Sequence, residues 1–138
     1  ITLRFTKQMT YLNQAEKIAE FFFNQPNLAT DLIPYWDMKD PTIPNAPRDA
    51  SAAAVIASAL YELCDYVDNN KAVFYKQQAD KIIKSLIDHY QATPKSNQGF
   101  LLLHSTGHYP KNDEIDAPIS YADYYYLEAL FRKAKLEQ

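Results

Sequence analysis

Apolar residues recur at three- and four-residue spacing along four stretches of this chain, and the stretches alternate in how much of their surface is apolar. Over residues 10–25, Leu12, Ala15, Ile18, Ala19, Phe22 and Phe23 make one face, with Asn13, Gln14, Glu16, Lys17 and Glu20 on the other. That is the stripe of an amphipathic helix, with Thr10 as candidate N-cap and Pro26 as the stop. Residues 49–67, "DASAAAVIASALYELCDYV", are apolar nearly all round, so this helix is expected to be buried on most sides, with Asp49 as its cap. Residues 71–91 return to the amphipathic pattern: Val73, Phe74, Ala79, Ile82, Ile83, Leu86 and Ile87 oppose Lys76, Gln77, Asp80, Lys81 and Lys84. Residues 120–135, "SYADYYYLEALFRKAK", are aromatic on most faces, with Asp116 or Ser120 as candidate cap. The opening "ITLRFTKQ" has no cap and resembles the last turns of a helix already under way, so the chain is expected to be a fragment.

The alternation is also a repeat. "YLNQAEKI" from Tyr11 and "YKQQADKI" from Tyr75 share Tyr, Gln, Ala, an acid, Lys and Ile in register. "SALYEL" from Ser58 and "EALFRK" from Glu128 repeat Ala-Leu-aromatic in the same order. A period of two helices predicts stacked helical hairpins. Half-polar helices meet solvent and wholly apolar ones touch neighbours on both sides. The expected class is therefore all-α, an α/α toroid, with residues 1–138 as one all-α segment of it. In such a ring the loops entering the inner helices, residues 31–48 and 99–116, gather at one mouth.

Composition narrows the chemistry. Glycine is 2 of 138 residues against an ordinary share of roughly 7 %, too few for phosphate loops, while proline is 8. There is no GxSxG elbow and no CxxC, so nucleophilic-serine and redox classes have no foothold. Net charge is −3 without a basic block, which argues against nucleic acid; no run approaches the roughly 20 apolar residues of a bilayer span. Cys64 lies on an apolar stripe as a small core residue. The 11 tyrosines suit sugar surfaces, because rings pack on C–H faces and phenols bond hydroxyls, although helix packing accounts for most of them.

The two long loops hold the candidate site. In "DLIPYWDMKDPTIPNAPRDASA", prolines 34, 41, 44 and 47 stiffen a connection that carries the only tryptophan, Trp36. Trp36 is a candidate sugar platform or a lid on the core. Arg48 offers a planar fork for a carboxylate or sulfate, or a local ion pair with Asp49. In "LLLHSTGHYPKNDEID", His104, His108, Tyr109 and Lys111 are candidate pocket residues, since each sugar hydroxyl needs placed donors and acceptors. Asp113 and Glu114 are expected to be solvated. The histidine spacing matches no metal-ligand pattern, so neither metal nor cofactor is expected.

"PYWD", "PRDASAAA" and "LLLHSTGHYPKNDEIDAPISYADYYYLEALFR", in this order, resemble the C-terminal half of unsaturated glucuronyl hydrolases, glycoside hydrolase family 88. The resemblance covers nearly the whole chain. It implies an incomplete six-hairpin α/α barrel carrying about two hairpins and the end of a preceding helix. It implies a substrate too: oligosaccharides from polysaccharide lyases bearing a 4,5-unsaturated uronic acid, consumed by vinyl-ether hydration. It places the catalytic aspartates upstream, so Asp37, Asp49, Asp113 and Asp116 are not substitutes and no catalytic residue is assigned. Where members adapted to sulfated fragments carry Ser-x-x-Ser-x-Lys, this chain has His108, Lys111 and Asp113, which does not support sulfate recognition of that type. The expected partners are an unsaturated oligosaccharide and the rest of the barrel. Without that rest, the segment is expected to self-associate and to be inactive. The competing readings are a non-catalytic helical-repeat module binding glycan or protein, and a related hydrolase of unsaturated rhamnogalacturonyl ends.

Overall fold

The computed structural model describes residues 2–138. Five α-helices follow in order: α1 Thr2–Thr6, α2 Met9–Phe23, α3 Ala50–Leu63, α4 Asn69–Ser85 and α5 Ser120–Leu136. The described residues contain isolated β-bridges but no strand.

Inner and outer rows are visible in the side-chain contacts. Arg4 of α1 and Arg132 of α5 both reach Glu62 of α3, at 3.8 and 2.7 Å, so α1, α3 and α5 stand side by side. On the other row, Lys71 of α4 meets Glu16 of α2 at 2.6 Å and Phe23 lies edge-on to Phe74 at 5.6 Å. Helix α3 packs closely on α5 because alanines line the contact: Ala50, Ala53, Ala54, Ala57, Ala122 and Ala129 are all fully buried. Without long side chains between them, the two backbones come together and exclude water. Tyr75, Ala79, Ile82, Ile83 and Leu86 give α4 its buried stripe against α3, while Lys81 and Lys84 face solvent.

Several local expectations change. Helix α2 begins one residue before Thr10, and Gln8 stands at its N-cap position without a side-chain bond, so Thr10 is a helical residue and not a cap. The last helix is preceded by Ile119, so neither Asp116 nor Ser120 caps it. Asp49 does cap α3, accepting from the amides of Ser51 and Ala52 at 3.0 and 3.3 Å. A cap not foreseen is Asp68, which accepts from the amides of Asn70 and Lys71 at the start of α4. Helix α4 does not run as α-helix to its end: Leu86–Tyr90 form a π-helical turn that buries both Leu86 and Tyr90. Ile18, Val73, Phe74 and Ile87, expected on buried faces, are 44–59 % exposed. On α5, Tyr124, Leu127 and Phe131 form an open lateral face, 53–72 % exposed.

Candidate functional site

The two long loops meet at the amino ends of α3 and α5. Each first closes on itself. In loop one the Trp36 amide donates to Pro47 O at 3.0 Å and the Asp49 amide to Pro34 O at 2.9 Å. In loop two Ser105 and Ala117 exchange amide bonds at 3.1 and 2.8 Å, and Asp123 of α5 accepts from the amides of Leu101 and Leu102. The loops are then joined to one another. The Ala50 amide donates to His104 O at 3.1 Å, and the Thr106 hydroxyl donates to Arg48 O at 3.0 Å.

Their aromatic residues complete the junction. The rings of Trp36 and Tyr109 stack at 4.1 Å and 18°, so one face of the indole is covered and the pair forms a single broad apolar plate. The indole N–H donates to Asp40 at 2.6 Å. The hydroxyl and amide of Thr42 hold the Asp40 carboxyl below its ordinary range, against the opposing effect of burial, with the Trp36 N–H adding to them. Asp40 therefore remains an ionised acceptor that fixes the tryptophan.

Arg48 is engaged by protein groups within loop one. Its guanidinium pairs with Asp31, donates to Ile33 O at 2.6 Å and sits 4.7 Å over the Tyr35 ring. Asp31 also accepts from the Tyr90 hydroxyl at 3.3 Å, and burial pushes the Tyr90 phenol up to about 12, so Tyr90 stays a neutral donor. The local Arg48–Asp49 pair is replaced by this pairing across loop one. The Asp49 carboxylate serves α3 and the Thr106 amide instead.

Of the loop-two candidates, His104 sets Nδ1 2.5 Å from an Asp116 carboxylate oxygen and presents its ring to Tyr90 at 5.9 Å. Beyond it, residues 107–114 form a small hairpin, with the Gly107 amide on Glu114 O and a bridge between His108 and Asp113. Its tip carries His108 and Lys111, exposed and without side-chain partners among the described residues. A Cβ at Gly107 would lie 2.3 Å from Glu114 Oε2, so the exposed Glu114 side chain rests against this glycine. His104, Asn112, Glu114 and Asp116 all have φ between 49° and 61°, a concentration of left-handed non-glycine residues of the kind that gathers at working sites. The sequence reading brought Trp36, Tyr109, His104, His108 and Lys111 to one rim. It missed Asp31 and Tyr90, which no local pattern announces, and offered Asp116 as a helix cap, whereas its carboxylate meets His104.

Two cavities lie elsewhere. An apolar groove of about 330 Å³ runs between α2 and α3, lined by Leu12, Ala15, Phe22, Ile56 and Leu63; a more open cleft separates α2 from α4. Neither is near the rim residues.

No family model matches the chain. Individual proteins do. An unsaturated glucuronyl hydrolase of Formosa agariphila is 47 % identical over 99 % of this chain. The crystal structure of an unsaturated glucuronyl hydrolase specific for heparin superposes with TM-score 0.94 over 98 % of the chain, at 46 % identity. Over nearly its whole length the chain is similar to unsaturated glucuronyl hydrolases. It spans about a third of their length: 34 % of the Formosa protein and 36 % of the heparin-specific one. A variant of the Streptococcus agalactiae unsaturated glucuronyl hydrolase, crystallised with dGlcA-GalNAc6S, matches with TM-score 0.84 at 29 % identity. The all-helical arrangement corresponds to the α/α barrel of these unsaturated glucuronyl hydrolases.

Proposed function

We propose that the polypeptide carrying this chain removes a 4,5-unsaturated uronic acid from the non-reducing end of lyase-generated glycosaminoglycan oligosaccharides. The observation that carries this reading is the match, at nearly half identity over the entire chain, to enzymes named for that activity. The reaction proceeds by hydration: C4 of the vinyl ether takes a proton, water adds at C5, and the resulting hemiketal opens and releases the neighbouring sugar. It differs from direct displacement by paired carboxylates, while the need for a tuned acid and base is the same.

In this proposal the chain supplies part of the substrate rim and no catalytic carboxylate. The Trp36–Tyr109 plate offers an apolar surface to a sugar face, and His104, His108 and Lys111 offer polar contacts to hydroxyls or an anionic group. Arg48 holds loop one through Asp31. The preferred substrate class is heparin-type, because the heparin-specific enzyme shares 46 % identity against 29 % for the enzyme crystallised with dGlcA-GalNAc6S. The test is the loss of enol-ether absorbance when full-length protein meets unsaturated disaccharides of each class. Turnover of the heparin-type disaccharide is the expected result; an inert full-length protein overturns the reading.

A further inference from the structure

Asp116 was set aside as a catalytic acid, and its geometry gives it another task. Its Oδ1 lies 2.5 Å from His104 Nδ1. A carboxylate oxygen only accepts, so the proton between them belongs to Nδ1. A neutral imidazole carries one N–H, and holding it on Nδ1 leaves a lone pair on Nε2. Nε2 has no protein partner among the described residues, and the His104 side chain is 45 % exposed.

We propose that Asp116 is a positioning residue: it holds His104 in the Nδ1–H tautomer, so that Nε2 is an acceptor for a sugar hydroxyl at the rim. The sugar contact rests on the functional reading above. The tautomer does not.

The surroundings support a placed acceptor over a mere loop staple. Both residues are in the left-handed region, φ 61° at His104 and 53° at Asp116, which few non-glycine residues adopt. An exposed polar pair returns little stability, and this one is 45 % and 62 % exposed. A pair that contributes so little to folding, kept in two uncommon conformations, is better explained by where it puts the ring. The ring is fixed from two more directions: Tyr90 packs edge-on, and His104 O accepts the Ala50 amide at the start of α3. The charges behind Tyr90 are Asp31 and Arg48, already paired with each other. Among the described residues Asp116 is the charged group paired with the ring.

Long-range proton–nitrogen correlations on the full-length protein at about pH 8, where histidine is ordinarily neutral, distinguish the two ring nitrogens. The chain has 3 histidines, so His89 and His108 serve as internal references. The expected result is Nδ1 protonated and Nε2 bare at His104, with the proton moving to Nε2 in Asp116→Ala. In turnover of the unsaturated disaccharide, Asp116→Ala and His104→Asn are expected to raise KM about tenfold, the worth of one neutral hydrogen bond, with kcat within about threefold. Asparagine at 104 tolerates the left-handed backbone, which guards against misfolding. Asp116→Asn keeps an oxygen that accepts from Nδ1–H and is expected to recover most of the loss. A bare Nδ1 in the unsubstituted protein overturns the proposal, as does an Asp116→Ala protein that melts lower with KM unchanged. An unsubstituted protein inert toward every unsaturated uronide overturns the functional reading and the sugar contact together, and the ring-nitrogen shifts then decide the tautomer alone.

Discussion

The two ends of the inner helices are built on opposite principles. Toward the carboxyl ends of α3 and α5, charges are shared several ways. Asp80 accepts from the Tyr61 hydroxyl at 2.7 Å and from Lys76 at 3.0 Å, and pairs with Lys133; both lysines also reach Glu137. Arg132 meets Glu62 at 2.7 Å, Glu128 at 3.2 Å and Ser58 O at 2.7 Å. No single contact there is irreplaceable. At the outer rim the Asp116 carboxylate has His104 as its one side-chain partner among the described residues, while His108 and Lys111 are left unmatched there. Redundancy makes a permanent base; unmatched donors and acceptors on a stiff frame suit a polyhydroxyl ligand. Substitutions at the base should therefore register in melting temperature, and those at the rim in KM.

Asp80→Asn tests the base and carries the largest expected effect on stability. Burial works against the Asp80 anion, but hydrogen bonds from Lys133, Tyr61 and Lys76 outweigh it and hold the carboxyl below its ordinary value. A depressed carboxyl stabilises the fold above about pH 4 and loses that contribution as pH falls through its folded value. Thermal melts at neutral pH should show a loss of about 2 kcal/mol. The gap between the two proteins should narrow on acidification, with KM the same in both. A gap that widens in acid would contradict the assignment. Trp36→Ala tests the rim: losing the stack on Tyr109 should cost only about 1 kcal/mol of stability while raising KM severalfold in the full-length protein. A large fall in melting temperature with unchanged KM would make Trp36 a core lid. The smallest effect is expected at Ser105, fully buried with a hydroxyl that has no hydrogen-bond partner among the described residues. Ser105→Ala removes a desolvated polar group and should leave stability equal or higher by up to about 1 kcal/mol. A clear loss would reveal a bond to that hydroxyl.

What could be read from the residues divides along the same line. Helical periodicity located α2 to α5, and the contrast between amphipathic and wholly apolar stretches separated outer from inner helices, because exposure imposes that contrast directly. Asp49 was legible as a cap because capping is local. Periodicity does not say whether an apolar face is covered, so Ile18 and Phe74 were placed inside although both are exposed. The junctions at the rim escaped for another reason. Arg48 finds Asp31 across loop one and His104 finds Asp116 across loop two, through backbone turns that only the closed loops impose. Neighbours in sequence, such as Asp49 beside Arg48, were the natural but mistaken partners.

The left-handed turn at His104 has a further consequence. A residue in that conformation reverses its carbonyl, and here the carbonyl receives the first amide of α3, the helix that loop one leads into. The tryptophan-bearing and histidine-bearing halves of the rim are thus pinned together at the base of α3, where the His104 carbonyl and the Thr106 hydroxyl both grip loop one, so a push on either strand of the mouth is delivered to the other.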